Sequence, residues 1–87
     1  MRNNNGYPSK AAVEAQKAFY IPGCRVELVS IDDPYTKLKP GDQGTVEFVD
    51  DIGNVFIKWD LGSSLAAVYG VDQIKKLYGG RTYKKRY

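Results

Sequence analysis

Pro40-Gly41-Asp42-Gln43-Gly44-Thr45-Val46, followed further on by Trp59-Asp60-Leu61-Gly62-Ser63, reads as successive turns and strands of one small β structure. Lys39-Pro40-Gly41-Asp42 puts proline at the second and glycine at the third position of a type II turn, where φ is about −60° and then positive. Beyond it, Gly44 to Asp50 alternates Val46 and Phe48 against Thr45 and Glu47, and Asn54 to Asp60 alternates Val55, Ile57 and Trp59 against Phe56 and Lys58. Between these strands, Asp50-Asp51-Ile52-Gly53 suits a type I turn closed by a left-handed glycine, the hairpin with a bulge.

Working outward, Leu61-Gly62 makes the next reversal and Ser63 to Tyr69 a fourth strand, which Gly70-Val71-Asp72 breaks. Ile74 to Tyr78 supplies a short fifth strand able to close the sheet on the first. That first strand begins at Cys24, with Val26 and Leu28 on its face and Arg25 and Glu27 opposite. Asp33-Pro34 then predicts an N-cap and a single helical turn through Leu38, inside a connection too long for a tight hairpin. Ahead of the strands, Ser9 to Tyr20 is rich in helix formers, with Ser9 as cap and Pro22-Gly23 as stop. So short a helix persists only if Val13, Phe19 and Tyr20 dock on the rest. The predicted class is mainly β: a small five-stranded SH3-like barrel over residues 21–78, an arm and short helix over 1–20, and a flexible basic tail over 79–87.

An 87-residue chain with 43% hydrophobic and 26% charged residues suits one globular domain with little spare core. One cysteine excludes an intramolecular disulfide, and the lack of histidine removes the usual zinc ligand and general base. Without those groups or a glycine-rich phosphate loop, no enzyme class and no cofactor are expected. The start has no apolar signal region and no run is long enough for a membrane span, so a soluble cytoplasmic monomer is expected, away from membranes. Charge is unevenly spread: +2 over residues 1–20, −3 over 21–78 and +4 over 79–87.

The strings Gly23-Cys24-Arg25-Val26-Glu27-Leu28, Asp33-Pro34-Tyr35-Thr36, Pro40 to Val46, Val55 to Ser63 and Gly70-Val71-Asp72 closely resemble a small bacterial family, domain of unknown function 4314. The resemblance spans about residues 21–77 and implies the SH3-like barrel without an established activity, in proteins often carried on mobile elements and phages. Leu61 stands where that family usually has asparagine, which tolerates positive φ and is not apolar. Val26 to Val46 also looks like the KOW motif, which binds RNA or proteins, and Gly44 to Asp72 is similar to the peptide-binding Mind-bomb/Herc-type domain.

Two functional readings follow. In the leading one, the chain is a non-enzymatic nucleic-acid-binding accessory protein: Arg81, Lys84, Lys85 and Arg86 contact phosphates and Tyr83 and Tyr87 stack on bases, with little base specificity. In the other, Tyr35, Phe56, Leu61 and Tyr69 form a surface for a protein or peptide. Alternation places Trp59 in the core, where full burial is worth at most roughly 4–6 kcal/mol, and sends Phe56 to the opposite face, under the helix or towards a partner. Tyr35 either packs down on the barrel or joins Tyr69 in a contact site. Asp32-Asp33 and Asp50-Asp51 read as turn starters rather than a metal site, and Cys24 as a buried, inert thiol.

Overall fold

The computed structural model of the chain describes residues 8–78. Helix α1 spans Lys10–Phe19, and five strands follow: β1 Arg25–Ser30, β2 Gln43–Val49, β3 Val55–Trp59, β4 Ser64–Ala67 and β5 Gln73–Lys76. All pairings are antiparallel in one sheet of order β4-β3-β2-β1-β5, so the fifth strand does return to the first. The mainly β class is as expected, but the sheet is not closed into a barrel. β4 and β5 are its two edges and share no ladder. The chain between them is spent on a turn, in which Val71 and Asp72 both donate their amides to the Val68 carbonyl (3.1 and 3.0 Å).

The core is built by the inward faces of β1 to β4: Val26, Leu28, Val46, Val49, Val55, Ile57, Trp59 and Ala67. Trp59 is only 2% exposed, and its indole N–H donates to the Leu65 carbonyl at 3.0 Å, so its one polar atom is satisfied within the core. Leu38 joins this core from the β1–β2 connection. The helical turn expected there stops short of Leu38. Asp33 does cap it, its carboxylate accepting the Tyr35 amide at 2.9 Å and its carbonyl the Thr36 amide at 3.4 Å, but the Thr36 hydroxyl then takes the Leu38 amide at 3.1 Å in place of a helical bond.

Strict alternation in β2 fails at one place. Val46 faces Ile57 and Phe48 faces Phe56, so two steps along β2 match one along β3, a β-bulge. The bulge turns Phe48 outward, 48% exposed, and sends Val49 into the core, the reverse of the period-two expectation. The two neighbouring turns form as read from the sequence. Gly41 has φ of +99° with the Asp42 amide on the Lys39 carbonyl at 3.0 Å, and Asp50 and Asn54 bracket a three-residue loop.

The docking of α1 follows from its ends. The Ser9 hydroxyl accepts the Ala12 amide at 3.0 Å, an N-cap that satisfies one otherwise orphaned donor. Val13 is buried; Gln16 donates to the Gly53 carbonyl at 3.1 Å, and Lys17 pairs with Asp51 at 3.0 Å, both on the β2–β3 loop. At the other end, the Tyr20 hydroxyl donates to the Ile74 carbonyl at 3.5 Å and Lys76 donates to the Phe19 carbonyl at 2.8 Å. The helix thus spans from the β2–β3 loop to β5.

Gly44 is the tightest point of the sheet. A Cβ there would sit 2.6 Å from Ile57 Cγ2 and 2.8 Å from the Lys58 carbonyl oxygen, the latter a backbone atom that cannot swing away. Gly44→Ala is expected to destabilise the fold by about 1–3 kcal/mol. Thermal unfolding followed by circular dichroism should show a melting temperature lower by roughly 5–20 °C; an unchanged value would mean that β2 and β3 do not approach this closely.

Candidate functional site

Two features stand out, one on the β5 edge of the sheet and one between its two edges. The first is a cation between rings. Strand β5 ends at Lys76, whose Nζ lies 4.8 Å from the centroid of Phe19 and 5.7 Å from that of Tyr78. Phe19 keeps 44% of its surface exposed and Tyr78 71%, although Phe19 also meets the edge of Tyr20 at 4.8 Å. Period-two alternation along Lys76, Leu77 and Tyr78 puts cation and ring on one face, and the helix C-terminus brings Phe19 to them. Lys76 sits three positions before Gly79, where the basic segment begins.

Nearby groups titrate in accord with their burial. Desolvation pushes the Tyr20 phenol up, which keeps it protonated and able to donate to Ile74. Desolvation also raises the Cys24 thiol, against a smaller opposing effect of Lys76, so the thiol stays protonated at neutral pH. Cys24 is half-buried against the core, less enclosed than its alternation suggested.

The second feature is a cleft of about 370 Å³ where the sheet stays open. Val29, Val55, Ala67 and Ile74 provide its apolar side, while Gln16, Tyr69, Asp72 and Gln73 provide polar groups. Asp72 organises the rim: one carboxylate oxygen accepts the Asp32 amide at 2.8 Å and the other the Val68 amide at 2.9 Å. A single side chain therefore ties the β1–β2 connection to the end of β4. Among the described residues, no group of three or more metal-ligating side chains could hold an ion, and no helix is long and apolar enough to cross a membrane. Asp33 and Asp50 instead serve their turns, and Asp50 accepts the amides of Ile52 and Asn54 at 3.1 and 2.8 Å.

The residues expected to form a protein-binding surface are scattered. Tyr35 is 93% exposed at the tip of its loop, so it neither packs down on the sheet nor joins Tyr69. Tyr69 is half-buried beside Gly53, and its amide is held by the Asn54 side chain at 2.9 Å. Phe56 stacks face to face on Phe48 at 4.5 Å and 8°, so a ring from the bulged strand covers it in part. Leu61 is exposed at the β3–β4 turn, at the opposite end of β4 from Tyr69. The candidate nucleic-acid contacts Arg81, Tyr83, Lys84, Lys85, Arg86 and Tyr87 lie outside the described residues. Sequence reasoning took Phe19 and Phe48 as packing residues and Asp72 as part of a turn, and gave none of these or Lys76 a role in a site; only the alternation of Lys76 with Tyr78 carried a signal.

Fold and site together define a small mainly β domain: in the described residues, one antiparallel sheet braced by one helix, with an aromatic–cation cluster on the β5 edge and a cleft between the β4 and β5 edges. The family model described as "Domain of unknown function (DUF4314)" matches residues 9–77, and the chain belongs to that family. The match begins at the N-cap of α1, ahead of the residues that carried the resemblance, so the helix is part of the family's domain. No curated protein matches the chain.

On the outer face of the sheet, Arg25 forks onto both oxygens of Asp60 at 2.7 and 2.5 Å and reaches Thr45 at 3.0 Å. The hydrogen bond from Arg25 holds the Asp60 carboxyl below its ordinary value of 3.8. A carboxyl depressed in the folded state contributes stability that is present above its unfolded value and lost as pH falls through the lower, folded one. Asp60→Asn should therefore flatten the acid limb of stability against pH below about 4 and leave its shape at neutral pH unchanged. Urea unfolding across pH 2–7 reads this, and an unaltered acid limb would mean that the pair is absent in solution.

Proposed function

We propose that the protein is a non-enzymatic, single-strand nucleic-acid-binding accessory module. The observation that carries this reading is the Phe19–Lys76–Tyr78 cluster: two exposed rings and a cation at the root of a segment that continues as Arg81-Thr82-Tyr83-Lys84-Lys85-Arg86-Tyr87. Bases stack on such rings, and cations along the same path neutralise phosphates. Phosphate contacts carry no sequence information, so the binding is of low base specificity. The rest of the described body is mildly acidic, which confines the interaction to this edge.

The rival reading, a protein surface made jointly by Tyr35, Phe56, Leu61 and Tyr69, has less support because these side chains stand apart. Fluorescence anisotropy with labelled single-stranded oligonucleotides at several salt concentrations separates the two. Lys76 and the four downstream cations predict a slope of log K against log salt of roughly −3.5, and Lys76→Gln should reduce its steepness by about 0.7. Phe19→Ala should weaken binding by about five- to a hundredfold, the range for losing one stacked base. Should the full chain fail to bind at low salt, or bind unchanged after Arg81, Lys84, Lys85 and Arg86 are all replaced by glutamine, this reading is overturned.

A further inference from the structure

The two edges of the sheet are not equally protected. Along β5 the helix end covers the strand, with Tyr20 donating to the Ile74 carbonyl and Lys76 to that of Phe19. Along β4 no described residue gives such cover. The Trp59 amide donates to the Ser63 carbonyl at 2.8 Å, and the register runs on through Ile57–Leu65 and Val55–Ala67. Antiparallel alternation then turns the amide groups of Ser64, Ala66 and Val68 away from β3. Val68 is closed off: its N–H is taken by Asp72 and its carbonyl by the amides of Val71 and Asp72. At Ser64 and Ala66, no described residue offers a partner. Ser64-Leu65-Ala66-Ala67 also lacks the charge, proline or bulge that usually guards an edge.

The open stretch leads directly into the cleft, which begins at Ala67 and is lined by Val68, Tyr69 and Asp72. Asp72 supplies the one formal charge of that lining. Asp32, held by Asp72 through its amide, is exposed beside it. An apolar floor with a carboxylate at the rim fits a side chain with an aliphatic stem and a cationic head. We propose that the β4 edge and this cleft form a strand-addition site for an extended peptide. Four main-chain bonds to Ser64 and Ala66 hold it, and one lysine or arginine side chain enters the cleft towards Asp72. Main-chain pairing supplies affinity and the cleft supplies selectivity. Phe19, Lys76 and Tyr78 do not line this cleft, which approaches them only through Tyr20 and Ile74, so the peptide site stands or falls independently of nucleic-acid binding.

The test uses the full chain, isotopically labelled, with a capped heptapeptide of alternating valine and a single central lysine as probe. Titration should shift the amide resonances of Ser64, Ala66 and Val68 to Asp72 and slow hydrogen exchange at Ser64 and Ala66 by roughly tenfold or more. The same peptide N-methylated along its bonding edge should not bind, a control that leaves the protein unaltered. Replacing the lysine by glutamine should weaken binding at least ~10-fold if a charge pair with Asp72 forms. Ala66→Pro, tolerated where an edge N–H faces outward, should abolish binding while keeping the remaining spectrum. Equal binding of the N-methylated peptide, or shifts confined to the Lys76 edge, would overturn the proposal. An unchanged affinity for the glutamine peptide would overturn the assignment of a basic partner. Protection of Ser64 and Ala66 in the free protein would mean that the edge is already covered, by a second copy if dilution removes it and by the chain itself if not, and either result overturns the peptide site.

Discussion

Everything in this small sheet depends on how closely β2 and β3 approach at Gly44. With no side chain there, the β2 backbone lies against Ile57, Lys58 and Trp59, and the indole of Trp59 sits inside the core with its N–H on Leu65. That bond ties β3 to β4 from within, next to the main-chain ladder between the same strands. In a domain of this size few residues are fully buried, and Trp59 with Leu28, Ile57, Val26, Val46 and Val55 makes up most of that set. The loops are then hung on this block by single anchors, Leu38 for the β1–β2 connection and Asp72 for the rim of the cleft.

The bulge in β2 follows from the same block. Beyond Val46 the strand would carry Phe48 inward if it stayed in register; the extra residue lets Val49 fill the interior instead and releases Phe48 to stack on Phe56 outside. A ring of that size leaves the core at the cost of an exposed apolar surface, part of which the stacking on Phe56 covers. Val49 and Phe48, on the two sides of the bulged strand, both line a groove with Lys17, Tyr20 and Pro22 at the end of α1. The bulge and the docking of the helix thus belong to one arrangement.

Helix α1 completes the asymmetry between the two edges. By spanning from the β2–β3 loop to β5, it closes one edge and positions Phe19 beside Lys76, while leaving β4 uncovered. The family match includes this helix. Surface ion pairs such as Lys17–Asp51 and Lys75–Glu27 at 3.6 Å add little to this arrangement, because exposed charges are well solvated before they meet.

Much of this was legible in the chain itself, because turns and alternation are local. The type II turn at Gly41, the loop closed at Gly53, the Ser9 cap and the inward alternation of Val26, Leu28, Val55, Ile57 and Trp59 depend on residues close in sequence, and each is found as read. Three matters were decided only in three dimensions. The bulge that exchanges Phe48 and Val49 arises from register against β3, which no single strand encodes. The open sheet results from where the Asp72 turn stops β4 and starts β5, and from a helix that covers only one edge. The site residues depended most on the fold: Phe19 and Lys76 are 57 positions apart and meet only because α1 ends on β5, whereas Leu61 and Tyr69, close in sequence, are held apart by the length of β4. Local chemistry determines where the chain turns and which side chains face inward; which side chains meet at a surface is set by the packing of distant elements.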